Sequence, residues 1–349
     1  MENYKLIYTI IKTAVETGIR YIEDNPKRGI RNLLDLGEYF ASSPSQKSFF
    51  NLAHDLLKNE NSHYYDILDT LVQNTNHKTL TDYGVNIGYN SLLYGANIIR
   101  EHKKEHGFNV PWVIVFNFEK KDDDNLTNEE ILDIINSGKN NGIYSYMILL
   151  GKNNILDDLY DVFEKNDKCA FTLFIDPSLI NEKTVKKISS ISNICIFVSI
   201  DNYEKSNFSK PEEFDLLNKY KCLYGGYCCY DNSSTINISN GTITDKLLSL
   251  NLNFAFCIRK NNCSKEAEEI TSDFIYKSRI EINSPVILID FYSDLARISK
   301  IISMKSCFLS IDGRGQIYTS DIFNKTEYNI RNNSLENILS YTMPKVNSD

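Results

Sequence analysis

Up to about residue 108, apolar positions recur at helical spacing: Leu6, Ile10, Ile11 and Val15, then Phe50, Leu52, Leu56 and Leu57. Residues three and four apart share one helix face, so this spacing predicts amphipathic helices packed by that face. Asp24-Asn25-Pro26 and Ser43-Pro44-Ser45 supply turn residues between them. From Pro111-Trp112 the period changes. Short runs rich in β-branched and aromatic residues, at 113–118, 143–150, 170–175, 194–200, 222–230, 253–259 and 286–291, alternate with amphipathic stretches at 126–137, 155–164, 182–189, 211–219, 244–250 and 264–276. Strands apolar at nearly every residue belong to a parallel sheet covered on both faces. Their repeat, about 25 to 30 residues, is that of a β-α unit.

Six or seven such units are too few for a closed eightfold barrel. The predicted fold is therefore α/β: an open, partial (β/α)6-type barrel spanning 111–298, with a helical N-terminal extension at 1–110. The tail at 299–349 reads as a hairpin, 308–311 and 316–319 around Asp312-Gly313-Arg314-Gly315, followed by a capped helix from Ser334 to Tyr341. Parallel α/β sheets place ligands at the carboxyl ends of their strands. That rule selects the loops 119–125, 151–154, 176–178, 201–204 and 260–263.

Composition narrows the function. The 349 residues are 42% hydrophobic and 24% charged, enough to bury a large core. A net charge of −8 and a pI near 5.3 argue against nucleic acid, whose non-specific binding rests on clustered Lys and Arg. No secretory leader and no apolar span of about 20 residues is legible, so no membrane partner is expected and the location is read as cytoplasmic. Eight cysteines are scattered singly from Cys169 onward, as suits small core residues in a reducing compartment. Cys228 and Cys229 are strand neighbours and point to opposite faces.

Candidate chemistry is sparse. All five histidines, His54, His63, His77, His102 and His106, precede the barrel; their spacings match no standard zinc site, and they are read as surface or capping residues. No G-x-S-x-G, P-loop or barrel histidine offers a nucleophile–base pair, so no catalytic residue is assigned. Asp122, Asp123 and Asp124 offer carboxylates to a hard cation, but a solvated acidic loop is the expectation and no metal ligand is assigned. Gly225-Gly226 inside a strand marks a bulge or a close backbone approach. Asp176, Asp201, Arg259 and Asp290 fall at strand ends, where structural and ligand-binding roles both stay open.

Asn109-Val110-Pro111-Trp112 entering a strand, the block 126–150 (LTNEEILDIINSGKNNGIYSYMILL) ending in Gly151, and the segment 169–180 (CAFTLFIDPSLI) resemble the radical S-adenosylmethionine enzymes. The likeness covers almost the whole chain and is strongest to a clostridial-type subgroup with a helical N-terminal extension and a SPASM-like C-terminal extension. Ser199-Ile200-Asp201 matches a fourth-strand end; Asp312–Tyr318 (DGRGQIY) and 328–339 (YNIRNNSLENIL) look like the extension's hairpin and closing helix.

The resemblance implies a C-x-x-x-C-x-x-C loop after the first strand, whose three thiolates hold a 4Fe-4S cluster with one iron left open for S-adenosylmethionine. Here that loop reads Glu119-Lys120-Lys121-Asp122-Asp123-Asp124-Asn125-Leu126, shortened and without cysteine. Where the family has G-G-E-P facing the cofactor's amino group, this chain has Gly151-Lys152-Asn153-Asn154. A common T-N-G is replaced by Ile175-Asp176-Pro177. Auxiliary-cluster positions fall near Ile301 and Ser320, leaving Cys307 alone. The strand bearing Gly225-Gly226 faces the adenosyl group in the family. The resemblance thus selects Gly151, Asn153, Asp176, Ser199, Asp201, Gly225, Gly226 and Arg259 as residual barrel-mouth binding residues.

The resulting expectation is a cluster-less pseudoenzyme without a cofactor or 4Fe-4S cluster, binding a protein or peptide partner, such as a paralogous active enzyme, or a small ligand. The alternative is an enzyme that retains S-adenosylmethionine or a nucleotide in the barrel mouth and uses it without a radical cluster.

Overall fold

Ten strands form among the described residues, 2–41, 44–120, 124–203 and 211–345 of a computed structural model. They are β1 Val113–Asn117, β2 Ser145–Gly151, β3 Ala170–Ile175, β4 Ile194–Ser199, β5 Tyr224–Tyr230, β6 Phe254–Arg259, β7 Ile287–Asp290, β8 Leu309–Asp312, β9 Gln316–Thr319 and β10 Lys325–Asn329. From β1 to β8 a helix or helices separate each strand from the next, so the fold is α/β with a parallel sheet and an N-terminal helical segment. The chain divides into two compact units: Met1–Thr81 with Phe197–Phe291, and Asp82–Ile196 with Tyr292–Asp349.

In the first unit, the helices Glu2–Asp24, Pro26–Tyr39, Pro44–Leu57 and His63–Asn74 bury Ile19, Ile22, Ile30, Leu57, Tyr65 and Val72 together. The turn predicted at Asp24-Asn25-Pro26 separates the first two: the Asn25 side chain accepts from Arg28 N–H at 3.1 Å, and Pro26 takes the first helical position. β5, β6 and β7 are parallel, with Cys228 opposite Cys257 and Cys257 opposite Asp290. One face of these strands carries Phe254 and Phe256, both packed on Phe197 (ring centroids 5.5 and 4.7 Å). Gly226, on the opposite face, lies against Leu247 and Leu252. The N-terminal helices are tied to this unit through Tyr64 Oη to the Arg279 carbonyl (3.1 Å) and His63 N–H to Asn283 (3.0 Å).

In the second unit, β1 pairs in parallel with β2, and β2 with β3. The outer face stacks Phe116, Tyr146 and Phe171, and the Tyr146 hydroxyl bonds the carbonyls of Ile135 and Ile143, clamping the helix Asn128–Asn140. The inner face is met by the chain preceding β1. Tyr83 Oη lies 2.7 Å from Thr172 Oγ1, and its hydroxyl also meets Cys195. A π-helical stretch, Asn86–Gly95, follows; this rare geometry lets Asn86 and Asn90 bond the carbonyls of Asp167, Lys168 and Cys169, while Ser91 meets Ser145 at 2.8 Å.

The expected hairpin forms, with β8 antiparallel to β9. Its first strand also pairs in parallel with β1, Ile114 opposite Leu309 through Asn117 opposite Asp312. β10 was not anticipated, because KTEYN is polar throughout; it is recruited by antiparallel pairing with β9. The expected strand 222–230 begins only at Tyr224, since Lys221 takes a left-handed turn (φ 50°) that ends the preceding helix. No described helix is long and apolar enough to cross a membrane.

Candidate functional site

The carboxyl ends of β1, β2 and β3 converge in the second unit. β1 leaves the sheet through the buried Phe118, whose N–H still bonds the Leu149 carbonyl (2.8 Å). The next residue, Glu119, lies across from Gly151, where β2 turns away with φ +51°; a β-carbon there would stand 3.5 Å from the Glu119 side chain. Asn153, 5% exposed, donates from Nδ2 to the Phe118 carbonyl at 2.7 Å, fastening one loop to the other. Asp176 N–H donates to the Gly151 carbonyl (2.8 Å), and its carboxylate accepts from the Ser178 N–H (3.0 Å) and hydroxyl (2.7 Å), starting the short turn Pro177–Leu179.

Gly151, Asn153 and Asp176 are therefore brought together, and with them Glu119, which sequence reasoning left unassigned within its loop. Glu119 is exposed to solvent by its surface area, beside the Gly151 backbone. Burial pushes its pKa up, against the opposing pull of Lys120. A carboxylate shifted this way suits a cationic group or a proton. The only available signal was position, the second residue beyond a strand's carboxyl end.

The C-terminal hairpin borders this loop. Leu126 N–H bonds the Gly313 carbonyl, and Arg331 reaches Asp124 (2.9 Å), Glu130 (2.7 Å) and the Asn125 carbonyl (3.1 Å). Asp124 is thus engaged in an ion pair. Asp122 and Asp123, weighed above for a cation, lie outside the described residues, as does Glu204.

Ser199 and Asp201 belong to the first unit. Both Asp201 oxygens accept the Cys229 N–H (3.1 and 3.2 Å) beside a cavity of about 340 Å³ lined also by Asp231, Lys246 and Lys260. Burial raises the Asp201 pKa despite that hydrogen bond. Asp231 is held well below the carboxylate range by Ser233 first, and also by Ser234 and Lys260. Ser199 Oγ lies 3.5 Å from the Asp201 N–H.

Arg259 turns toward Glu268 (3.2 Å) on the helix Lys265–Ile280, and Asp290 takes the Ser272 hydroxyl from the same helix. Gly225 and Gly226 are close-packing positions. The space a Gly225 side chain would need is filled by Phe254, and that of Gly226 by Leu252, Ile200 and Leu247.

The thiols do not make a cluster site. The loop after β1 holds no cysteine, and among the described residues no three sulfurs gather elsewhere. Cys228 and Cys257 approach to 3.8 Å as a buried pair, while burial lifts Cys169 and Cys222 to about 12, away from the thiolate form that ligates iron. A cluster held by three thiolates therefore has no ligand set among the described residues.

No family model and no curated protein matches the chain. Solved structures do. Streptococcus suis SuiB bound to S-adenosylmethionine is 16% identical, over 70% of this chain and 67% of that one, with a TM-score of 0.49. SuiB bound to its precursor peptide SuiA is 16% identical over 69% and 67%, at 0.48. Native anSMEcpe with bound AdoMet is 15% identical over 67% and 82%, at 0.45. Two of these three are described with S-adenosylmethionine bound. The expectation that this chain takes no cofactor is corrected accordingly and withdrawn.

Proposed function

We propose that this chain is a radical-S-adenosylmethionine-like protein that binds a small cationic ligand at the carboxyl ends of β1, β2 and β3. The sequence resemblance nominates S-adenosylmethionine. The observation that carries the reading is the convergence of Glu119 with Gly151, Asn153 and Asp176. A carboxylate whose ionised form is disfavoured by burial gains most from a positive partner. S-adenosylmethionine brings both an ammonium and a sulfonium. The Gly151 carbonyl already accepts the Asp176 N–H and has a second lone pair for a ligand N–H.

Calorimetric titration of the full chain tests this. S-adenosylmethionine is expected to bind, and more tightly than the uncharged-sulfur analogue S-adenosylhomocysteine. Glu119→Gln is expected to weaken it about 10- to 100-fold, the worth of one charge-assisted hydrogen bond. No binding at millimolar S-adenosylmethionine by a folded chain overturns the reading.

A second reading, a pseudoenzyme scaffold for a peptide or an active paralogue, is supported by the Tyr83 hydroxyl lodged between Thr172 and Cys195 on the inner face. Co-elution with a co-expressed peptide substrate or paralogue, without S-adenosylmethionine binding, would favour it over the first.

A further inference from the structure

Apart from the strand ends, the helices Ala96–His106 and Leu335–Thr342 of the second unit bring three ligand-type side chains together. His102 and His106 are four residues apart and share a helix face; their ring centroids are 4.3 Å apart at 36°. Glu336 sits in the first turn of the other helix. One nitrogen from each ring and one Glu336 oxygen all lie within 4.8 Å of one another.

A second observation is independent of that grouping. His102 Nδ1 is buried without a hydrogen-bond partner, its ring edge-on to Phe108 (4.9 Å). Buried polar atoms are nearly always satisfied, so one left bare asks for a ligand.

We propose that His102, His106 and Glu336 bind one divalent transition-metal ion of the Zn2+ class, with water in the fourth position. Two imidazoles at i and i+4 plus a carboxylate is an N/O set such ions accept. Bonds of about 2.0–2.1 Å in a tetrahedron put donor atoms about 3.3–3.4 Å apart. The ion therefore draws the three inward, a movement open to the exposed side chains of His106 and Glu336. The ends of the two helices are already joined by Asn109 Nδ2 to the Pro344 carbonyl (2.7 Å) and by the bridge between Phe108 and Lys345. The ion is a second fastener between the same two helices, at the N-terminal end of the second. The i,i+4 spacing stands in the sequence, where the histidines read as surface or capping residues matching no standard site, and the proposal departs from that reading; the third ligand, some 230 residues away, is not visible there.

The test uses the untagged full chain carrying Cys229→Ser and Cys263→Ser, so that accessible thiols do not compete. Zn2+ calorimetry should give one ion per chain, and Co2+ should show the visible d–d bands of a four-coordinate site. His106→Ala and Glu336→Gln, both at exposed positions, should each weaken Zn2+ by more than the 10- to 100-fold that outer-shell changes cost. Zn2+ should raise the thermal midpoint of the parent and not of these variants. Glu105→Gln is the control, because Glu105 lies 3.9 Å from His106 Nε2. No binding at submillimolar Zn2+, or equal binding by both variants and parent, overturns the proposal. Loss with Glu105→Gln but not with Glu336→Gln overturns the ligand assignment.

Discussion

Replacing Gly225 with alanine separates a packing glycine from a ligand-facing one. The new β-carbon would lie 2.7 Å from the Phe254 carbonyl oxygen and 2.7–2.8 Å from two of its ring carbons, against 3.4–4 Å in ordinary contact. The ring can swing; the carbonyl cannot follow easily, because it belongs to β6, held by pairing with both β5 and β7. Overpacking of this kind costs about 1–3 kcal/mol. Gly226→Ala is the internal control: its β-carbon meets only side-chain methyls, of Leu252 at 3.0 Å, Ile200 at 3.1 Å and Leu247 at 3.3 Å. Those methyls yield by a few tenths of an ångström, and the reduced freedom of the unfolded chain returns about 0.4–1 kcal/mol, leaving little net change. In a domain of 150–250 residues each kcal/mol moves the thermal midpoint by about 2–4 °C. Differential scanning calorimetry without ligand should therefore show Gly225→Ala melting about 2–12 °C below Gly226→Ala. Equal midpoints refute the packing argument. An unchanged midpoint together with lost S-adenosylmethionine binding would make Gly225 a ligand contact.

The raised pKa of Glu119 sets a pH dependence. The folded chain holds this proton more tightly than the unfolded chain, whose value is near 4.5, so its contribution is full below that pH and is lost as pH rises through the folded pKa. Glu119→Gln should thus gain stability over the parent with rising pH, the two converging in acid; a constant offset between their melting profiles refutes it. Of the eight cysteines, Cys229 and Cys263 are partly exposed and six are buried. Ellman's reagent should titrate two thiols quickly in the native chain and all eight in urea; three or more fast thiols contradict this packing.

Local pattern carried the elements. Ala170–Ile175 and Glu182–Ser189 fall where the sequence places them, the strand because its six residues are all buried and the helix because Asn181 caps it (3.1 Å to Thr184 N–H). Such signals lie within a few residues of each other and are legible without partners. The rule about strand ends selected the loops that hold Gly151, Asn153 and Asp176, which the fold brings together. It did not separate Glu119, which lies beside Gly151, from the acidic residues that follow it in the sequence.

What the sequence alone determined is the succession of strands and helices, the absence of cysteine from the loop after the first strand and the polar strand ends. Which strands become neighbours, which face each side chain takes and which distant residues meet were decided only by the tertiary structure. β8 joins β1, Arg259 turns to Glu268, and Glu336 arrives beside His102 and His106. The reason is physical: periodicity records what one element buries, whereas a meeting across 200 residues depends on contacts that exist only once the chain has closed its loops and paid their entropy.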